Sequence, residues 1–317
     1  MTRPPELQAI LDAIDRGGPY ESVEEVNRLL AEHMREYNSR AQRDLGGLSP
    51  DTMGQLLYGD WTSEGALRLS ETLALDELAD AAIFSDARTI LEYVRDEGPV
   101  KETPAKNLPR ATVAALLARL RMPAERRVTL VVDAPAKVNE GDVFWLPVMR
   151  HTLFFASLLA RRKGLRITAR GRALLNDARA GELYALLFRT LFRKLNLMVL
   201  DRTGGHPRLQ STIAYSFYKL RSATRDWTAA EELAESAWLA SAKDPPREWE
   251  TAYKLEHFPF RHRVLDPLVH FGLLEVRFLP TEVQWIERAE YRRTPLFDRF
   301  MRFEFAKQPR HDPFLMR

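Results

Sequence analysis

The chain contains no cysteine. Disulfide scaffolds, cysteine nucleophiles and thiolate zinc sites are therefore excluded, and a zinc site would need histidine and carboxylate ligands alone. His257, His262 and His270 lie close together in the sequence, at spacings of five and eight residues. A helical two-histidine metal site uses a spacing of about four residues. We therefore expect no metal, with His270 near the core and the other two at a surface bend.

Long apolar runs are missing as well. No window reaches the ~18 uncharged apolar residues that a membrane span needs, and runs such as Thr152–Ala160 are too short. The first residues, Met1–Gly18, lack the basic start and continuous apolar stretch of a signal peptide. The expected location is the cytoplasm, with no membrane partner.

The motifs of common enzyme classes are also absent. Gly46-Gly47 and Gly204-Gly205 lie in neither a P-loop nor a dinucleotide-binding glycine motif, and no serine has a G-x-S-x-G context. Neighbouring glutamates such as Glu231-Glu232 lie on predicted helix faces without an apolar pocket pattern, which favours solvated surface over acid–base catalysis. The sequence therefore predicts a non-enzymatic protein without cofactors. An enzyme whose site forms only in three dimensions is the last-ranked alternative.

The charge is strongly uneven along the 317 residues. Met1–Glu97 carries 9 Lys and Arg against 20 Asp and Glu, whereas Arg150–Arg221 carries 15 against 3. Such asymmetry indicates a surface that faces a polyanion, or an acidic part that docks on a basic part. Arginine outnumbers lysine 38 to 9 throughout, so the local scarcity of acidic residues is the more informative signal.

A basic cluster lies around one predicted turn, strand and helix start. Its members are the candidate nucleic-acid-binding residues: Arg161, Arg162, Lys163, Arg166, Arg170 and Arg172. Cations in this arrangement suit phosphate contacts. No side chain can be assigned to reading base edges, so the expected binding is nonspecific.

Hydrophobic periodicity predicts a mainly α-helical fold with short β-hairpins. Ser22 and Ser49-Pro50 are typical helix starts, and they predict helices over Ser22–Ala41 and Pro50–Tyr58. Further predicted elements are helices at Pro4–Arg16, Asp142–Arg162, Gly181–Met198 and Pro295–Phe303, and strands at Val128–Asp133, Gly164–Thr168, Leu273–Leu279 and Glu282–Glu287.

A unit of helix, short turn, β-prone piece and helix recurs three times. Its second copy is KGLRITARGRALL, and in the third Gly272 ends a helix before a hairpin. This order is typical of winged-helix proteins, although it also occurs in α+β proteins without a nucleic-acid role. We predict three parts: an acidic helical domain over 1–98, a basic winged-helix-like domain over 99–205, and a C-terminal helical domain with a winged-helix-like hairpin over 206–317.

Three segments resemble a family of uncharacterised bacterial proteins, some related to a plasmid-borne open reading frame. They are LGGLSPDTMGQLLYGDW (Leu45–Trp61), NLPRATVAALL (Asn107–Leu117) and KGLRITARGRALL (Lys163–Leu175). The similarity is expected to extend from Asp44 to Leu279. It implies a bacterial, cytosolic, multi-helix protein, and it brings neither an activity nor catalytic residues.

The favoured hypothesis is a non-enzymatic, winged-helix-like protein whose basic cluster binds nucleic acid nonspecifically. The alternative is a protein-interaction or scaffold protein, with a protein partner or a second copy, in which the acidic N-terminal part masks the basic part. Exposure of the basic cluster in the folded chain separates the two hypotheses.

Overall fold

The computed structural model describes residues 22–62, 64–121, 138–253, 255–280 and 288–306, together with positions 12, 16, 18 and 20.

Serine residues cap the first two helices of the described chain. The Ser22 hydroxyl accepts a hydrogen bond from the backbone N–H of Glu25, and the Ser49 hydroxyl accepts one from Thr52, each at 3.2 Å. Such caps satisfy N–H groups that have no partner within the helix. The predicted starts of both helices are confirmed.

Helices make up most of the described chain. The α-helices are α1 (Val23–Ser39), α2 (Pro50–Tyr58), α3 (Ala82–Glu97), α4 (Arg110–Leu117), α5 (Trp145–Phe155), α6 (Ala169–Leu174), α7 (Ala180–Arg193), α8 (Arg208–Ser211), α9 (Ile213–Ala223), α10 (Ala230–Ala237), α11 (Glu248–Tyr253), α12 (Phe258–Phe260), α13 (Asp266–His270) and α14 (Pro295–Phe300). A π-helical turn, Arg261–Leu265, joins α12 to α13. Short 3₁₀ turns lie at Asp76–Leu78, Glu140–Asp142, Asp177–Arg179, Leu197–Leu200 and Ala240–Ala242.

The strands form three small antiparallel sheets. One pairs β1 (Leu67–Leu69) with β7 (Met301–Phe303), and a second pairs β2 (Leu159–Arg161) with β3 (Leu165–Ile167). The third has the order β4 (Thr228–Ala229), β6 (Arg288–Arg293), β5 (Leu274–Leu279). The mainly helical fold with short antiparallel sheets is thus confirmed, while the winged-helix arrangement stays a prediction.

The core is organised around α7, of whose 14 residues 11 are buried. An apolar surface on nearly all sides of the helix suits this central position. The Phe188 ring contacts four other phenylalanines, with ring centroids 4.6 to 5.3 Å apart. We call Phe188 and these four rings the aromatic cluster; the four are Phe192, Phe217, Phe271 and Phe300. One hydrophobic cluster extends from Met53 to Met301, and the three-domain division stays a prediction.

Three predicted helices are too long; the one predicted over Gly181–Met198 ends at Arg193, and the other two continue into strands. The helix predicted over Asp142–Arg162 is only Trp145–Phe155, because the chain turns at Ser157, with φ +61°, and continues as strand β2. The helix predicted over Pro295–Phe303 ends at Phe300, and its last three residues form β7. A short apolar run suits a buried helix or a buried strand equally.

Several predictions lie largely or wholly outside the described residues: Pro4–Arg16, Val128–Asp133 and Glu282–Glu287. The observed partner of β5 is Arg288–Arg293. In the part of the chain that the structure describes, no helix has the length and apolar character needed to cross a membrane.

Candidate functional site

The hairpin β2–β3 places the basic cluster. Its turn contains Lys163 and Gly164, both with positive φ. Because side chains alternate between the two faces of a strand, Arg161 lies on the same face as its partner Leu165, which is buried. Arg166 pairs with Ala160 and lies on the other face. The strand register therefore places Arg161 and Arg166, two members of the basic cluster, on opposite faces of the hairpin.

Four members of the basic cluster line one cleft. These are Arg162, Lys163, Arg166 and Arg172. The cleft has a volume of about 670 Å³ and lies between the hairpin, the start of α6 and the end of α3, which contributes Val94, Arg95 and Gly98. We call it the basic cleft. Its remaining lining residues are Ala160, Ile167, Thr168 and Ala169, so no carboxylate lines it.

Backbone carbonyls hold two of these guanidinium groups. Arg166 Nε donates to the carbonyl oxygen of Arg162 at 3.1 Å, and Arg172 Nη1 donates to that of Ile167 at 3.2 Å. A carbonyl orients a guanidinium without neutralising its charge. Among the described residues, Arg162, Lys163, Arg166 and Arg172 have no carboxylate within 4.0 Å. The cleft therefore keeps an uncompensated positive charge.

Arg161 lies outside the cleft in an internal ion network. Its Nε lies 2.9 Å from Glu102, which also binds Arg150, and Arg150 in turn binds Glu140. Glu140 and Arg150 are buried, and Glu102 is partly buried. The Arg161 guanidinium also lies 4.4 Å from the centre of the Phe154 ring. This network anchors the hairpin to the segment before α4, so Arg161 has a structural environment.

Arg170 is exposed and lies outside the residues that line the cleft. The cleft instead contains Arg95, which sequence reasoning missed. Arg95 belongs to the acidic N-terminal part, and the hydrogen bond that its guanidinium donates to the neighbouring Asp96 carboxylate raises its pKa. In the sequence, the only sign of Arg95 as a candidate was its position in the last turn of a predicted helix, just before Gly98. The hairpin that faces it lies more than 60 residues away in the sequence.

Carboxylates of the acidic N-terminal part pair mainly with cations that lie outside the basic cleft. Glu77 lies 2.6 Å from Arg299, and Glu92 lies 3.6 Å from Arg119. Across the described residues, Asp96 is the one carboxylate of this part that pairs with a cleft cation, its neighbour Arg95. Masking of the basic part by the acidic part stays a prediction.

The three clustered histidines are structural in their contacts. His270 is buried against Trp145, with ring centroids 4.2 Å apart, as predicted. His257 is also buried, because α10 covers this part of the chain, so its predicted surface position is wrong. Burial lowers the pKa of His257, whose Nε2 lies 3.6 Å from Glu231. Among the residues that the structure describes, no three His, Asp or Glu side chains form a group that could hold a metal.

Comparison with known proteins gives one match. No curated protein and no solved structure matches the chain. The matching region contains two of the three segments on which the resemblance rests, Asn107–Leu117 and Lys163–Leu175. It also contains all residues that line the basic cleft. The third segment, Leu45–Trp61, lies outside it. The resemblance to a family named after a plasmid open reading frame is thus confirmed for part of the chain: residues 79–180, about a third of its length, are similar to the Y4jL N-terminal domain.

Proposed function

We propose that this chain is a non-enzymatic, cytoplasmic protein that binds the phosphates of nucleic acid in the basic cleft, without sequence preference. One observation carries the proposal: five cations line a single cleft, and among the described residues only one of them, Arg95, has a carboxylate partner, its neighbour Asp96. Phosphate neutralisation by such groups dominates the affinity of nonspecific nucleic-acid binding. Four of the five belong to the cluster proposed from the sequence, and Arg95 is the fifth.

The lining suits contact with phosphate, and arginine is its only side chain that commonly reads a base edge. Guanidinium groups match the geometry of phosphate oxygens, and they stay charged. Asn, Gln and aromatic side chains, which bind or stack on bases, are absent from the residues that line the cleft. Thr168 is occupied locally, because its hydroxyl accepts from Gly171 and donates to Ser157. We therefore expect similar affinities for unrelated sequences.

We also propose that hairpin β2–β3 serves as the wing of a winged-helix-like unit. Helix α3 packs against β3, α5 and α6, which is the kind of helix group that surrounds a small sheet in such units. In this proposal, the wing supplies Arg162, Lys163 and Arg166 to the nucleic acid, while α3 supplies Arg95.

The test is a mobility-shift titration of the full chain with duplex DNA across a salt series. Phosphate contacts by these cations predict an affinity that falls as salt rises, and removal of three of the five cleft cations predicts a less steep log–log slope of affinity against salt. The triple variant Arg162→Gln, Arg166→Gln, Arg172→Gln removes those three. Arg170→Gln is the matched control, since it removes the same charge from outside the cleft. Absence of binding at low salt would overturn the proposal.

A further inference from the structure

We propose that the basic cleft recognises the phosphorylated end of a nucleic-acid strand, and that it binds a terminal phosphomonoester in preference to the phosphodiesters within the strand. This inference rests on the proposed function and adds to it the part of the nucleic acid that enters the cleft. It follows from the shape of the cleft, from its charge and from the side chains that it lacks.

The shape of the cleft favours a compact anion. Its cations lie on two walls: Arg95 is at the end of α3, and the other four are on the hairpin and α6. A volume of about 670 Å³ is that of a small-ligand site. A duplex spreads its phosphates along a rod, with one per ~3.4 Å on each strand. A concave site of this size therefore suits one or two phosphates. An internal phosphate could reach it only if the strand passed both into and out of the cleft, whereas the end of a strand only has to enter.

The charge of the cleft favours a terminal phosphate over an internal one. A phosphodiester carries one negative charge. A phosphomonoester carries about −1.5 to −2 near pH 7 and presents three strong acceptor oxygens. Cations that line one cleft therefore gain more from the monoester, in the same way that clustered arginines select phosphorylated residues.

Backbone carbonyls orient two of the cleft arginines, Arg166 and Arg172. The backbone carbonyls of Arg162 and Ile167 each bind one N–H of a neighbouring guanidinium, and other N–H groups remain for a second acceptor. Side chains that are fixed in advance lose less conformational entropy on binding. An internal phosphate of a flexible strand would add its own ordering cost on both sides of the contact, whereas an end has one flank only.

The lining also gives the terminal base no aromatic side chain to stack on. No aromatic side chain lines the cleft, so no stacking platform is present there for the terminal base. We therefore expect the preference for a phosphorylated end to be independent of which base carries it.

The experiment measures fluorescence anisotropy of the full chain with single-stranded DNA of one sequence, about a dozen nucleotides long. One strand has a 5′-phosphate and one a 5′-hydroxyl, with the dye at the 3′ end; a second pair has the dye at the 5′ end and a 3′-phosphate or 3′-hydroxyl. We expect a phosphorylated end of at least one polarity to bind about tenfold more tightly than its hydroxyl partner. Preference at both ends supports the proposal as stated, and preference at one end supports it and gives the polarity.

Variants separate the cleft from the general charge of the protein. The pair Arg162→Gln, Arg172→Gln should reduce the phosphate preference to less than about threefold, with an unchanged circular dichroism spectrum. Arg170→Gln should keep the full preference. Equal affinity for phosphorylated and hydroxyl ends would overturn end recognition and leave the proposed function standing. Failure of every strand to bind at low salt would overturn the proposed function itself.

Discussion

His206 shows how one buried residue sets a pH dependence. Its Nδ1 accepts a hydrogen bond from the backbone N–H of Asp244 at 2.9 Å, and its ring lies against Trp238. Protonation of Nδ1 would remove that acceptor. Burial, the largest influence, lowers the pKa of His206 below its ordinary value of 6.5, although Glu250 and Asp244 oppose this. The folded chain therefore holds His206 in its neutral form.

The sign of the stability effect follows from that lowered pKa. As the pH falls below 6.5, the unfolded chain binds a proton at His206 that the folded chain does not, so the free energy of unfolding decreases. His206→Asn keeps an acceptor, tolerates the φ of +47° and does not titrate. We expect urea unfolding from pH 7.5 to 5.5 to show a smaller stability loss in this variant than in the wild type. The difference is at most about 1.4 kcal/mol per pH unit, the value for one proton. Equal losses in both proteins would contradict the prediction.

For single residues, the sequence shows which side chains are basic, but it does not show which of them pair with carboxylates in the folded chain. The register of hairpin β2–β3 decides that Arg161 faces Glu102 while Arg166 faces the cleft. Glu102 is 59 residues away from Arg161. No local pattern encodes a contact of that separation, and a shift of one residue in the register would reverse the two roles.

For helices, local sequence signals predict the first residue better than the last one. Serine caps and a first-turn proline act within four residues, so α1 and α2 begin as predicted. The end of α5 depends instead on β2, which forms only because β3 pairs with it. Strand β7 likewise depends on β1, whose partner residues are more than 230 positions away. Tertiary pairing overrides local preference in both places.

Two helical glycines test how helix packing competes with helix propensity. A Cβ at Gly181 of α7 would lie 2.4 Å from the carbonyl oxygen of Glu71 and 2.6 Å from the backbone nitrogen of Leu73. At Gly54 of α2, a Cβ would meet nothing within 4 Å. Alanine is the better helix former at both sites, by up to about 1 kcal/mol.

We therefore expect opposite effects from the same substitution. Gly181→Ala should destabilise the fold by about 1–3 kcal/mol, because backbone atoms must move apart. Gly54→Ala should leave stability unchanged or raise it by up to about 1 kcal/mol. Chemical denaturation followed by circular dichroism measures both. A Gly181→Ala protein as stable as the wild type would show that the segment over Glu71–Leu73 does not pack closely on α7.

For the whole molecule, the aromatic cluster joins parts that the charge pattern separates. Phe188 and Phe192 lie in the predicted central domain, whereas Phe217, Phe271 and Phe300 lie in the predicted C-terminal one. Trp61, from the acidic part, contacts Phe188 and Phe217. Charge distribution reports on the surface and not on core connectivity, so it gives no information about such contacts.

Shared packing of this kind predicts one cooperative unfolding transition. Phe300 is fully buried in the aromatic cluster, so Phe300→Ala should cost about 3–5 kcal/mol. Because its neighbours come from both predicted domains, tryptophan fluorescence and circular dichroism should shift to lower denaturant together. Phe155→Ala is the matched control; that ring is 48% exposed, so we expect a cost below about 1 kcal/mol. If Phe300→Ala instead moved one probe and not the other, the core would be divided, and the boundaries near residues 98 and 205 would mark units that unfold separately.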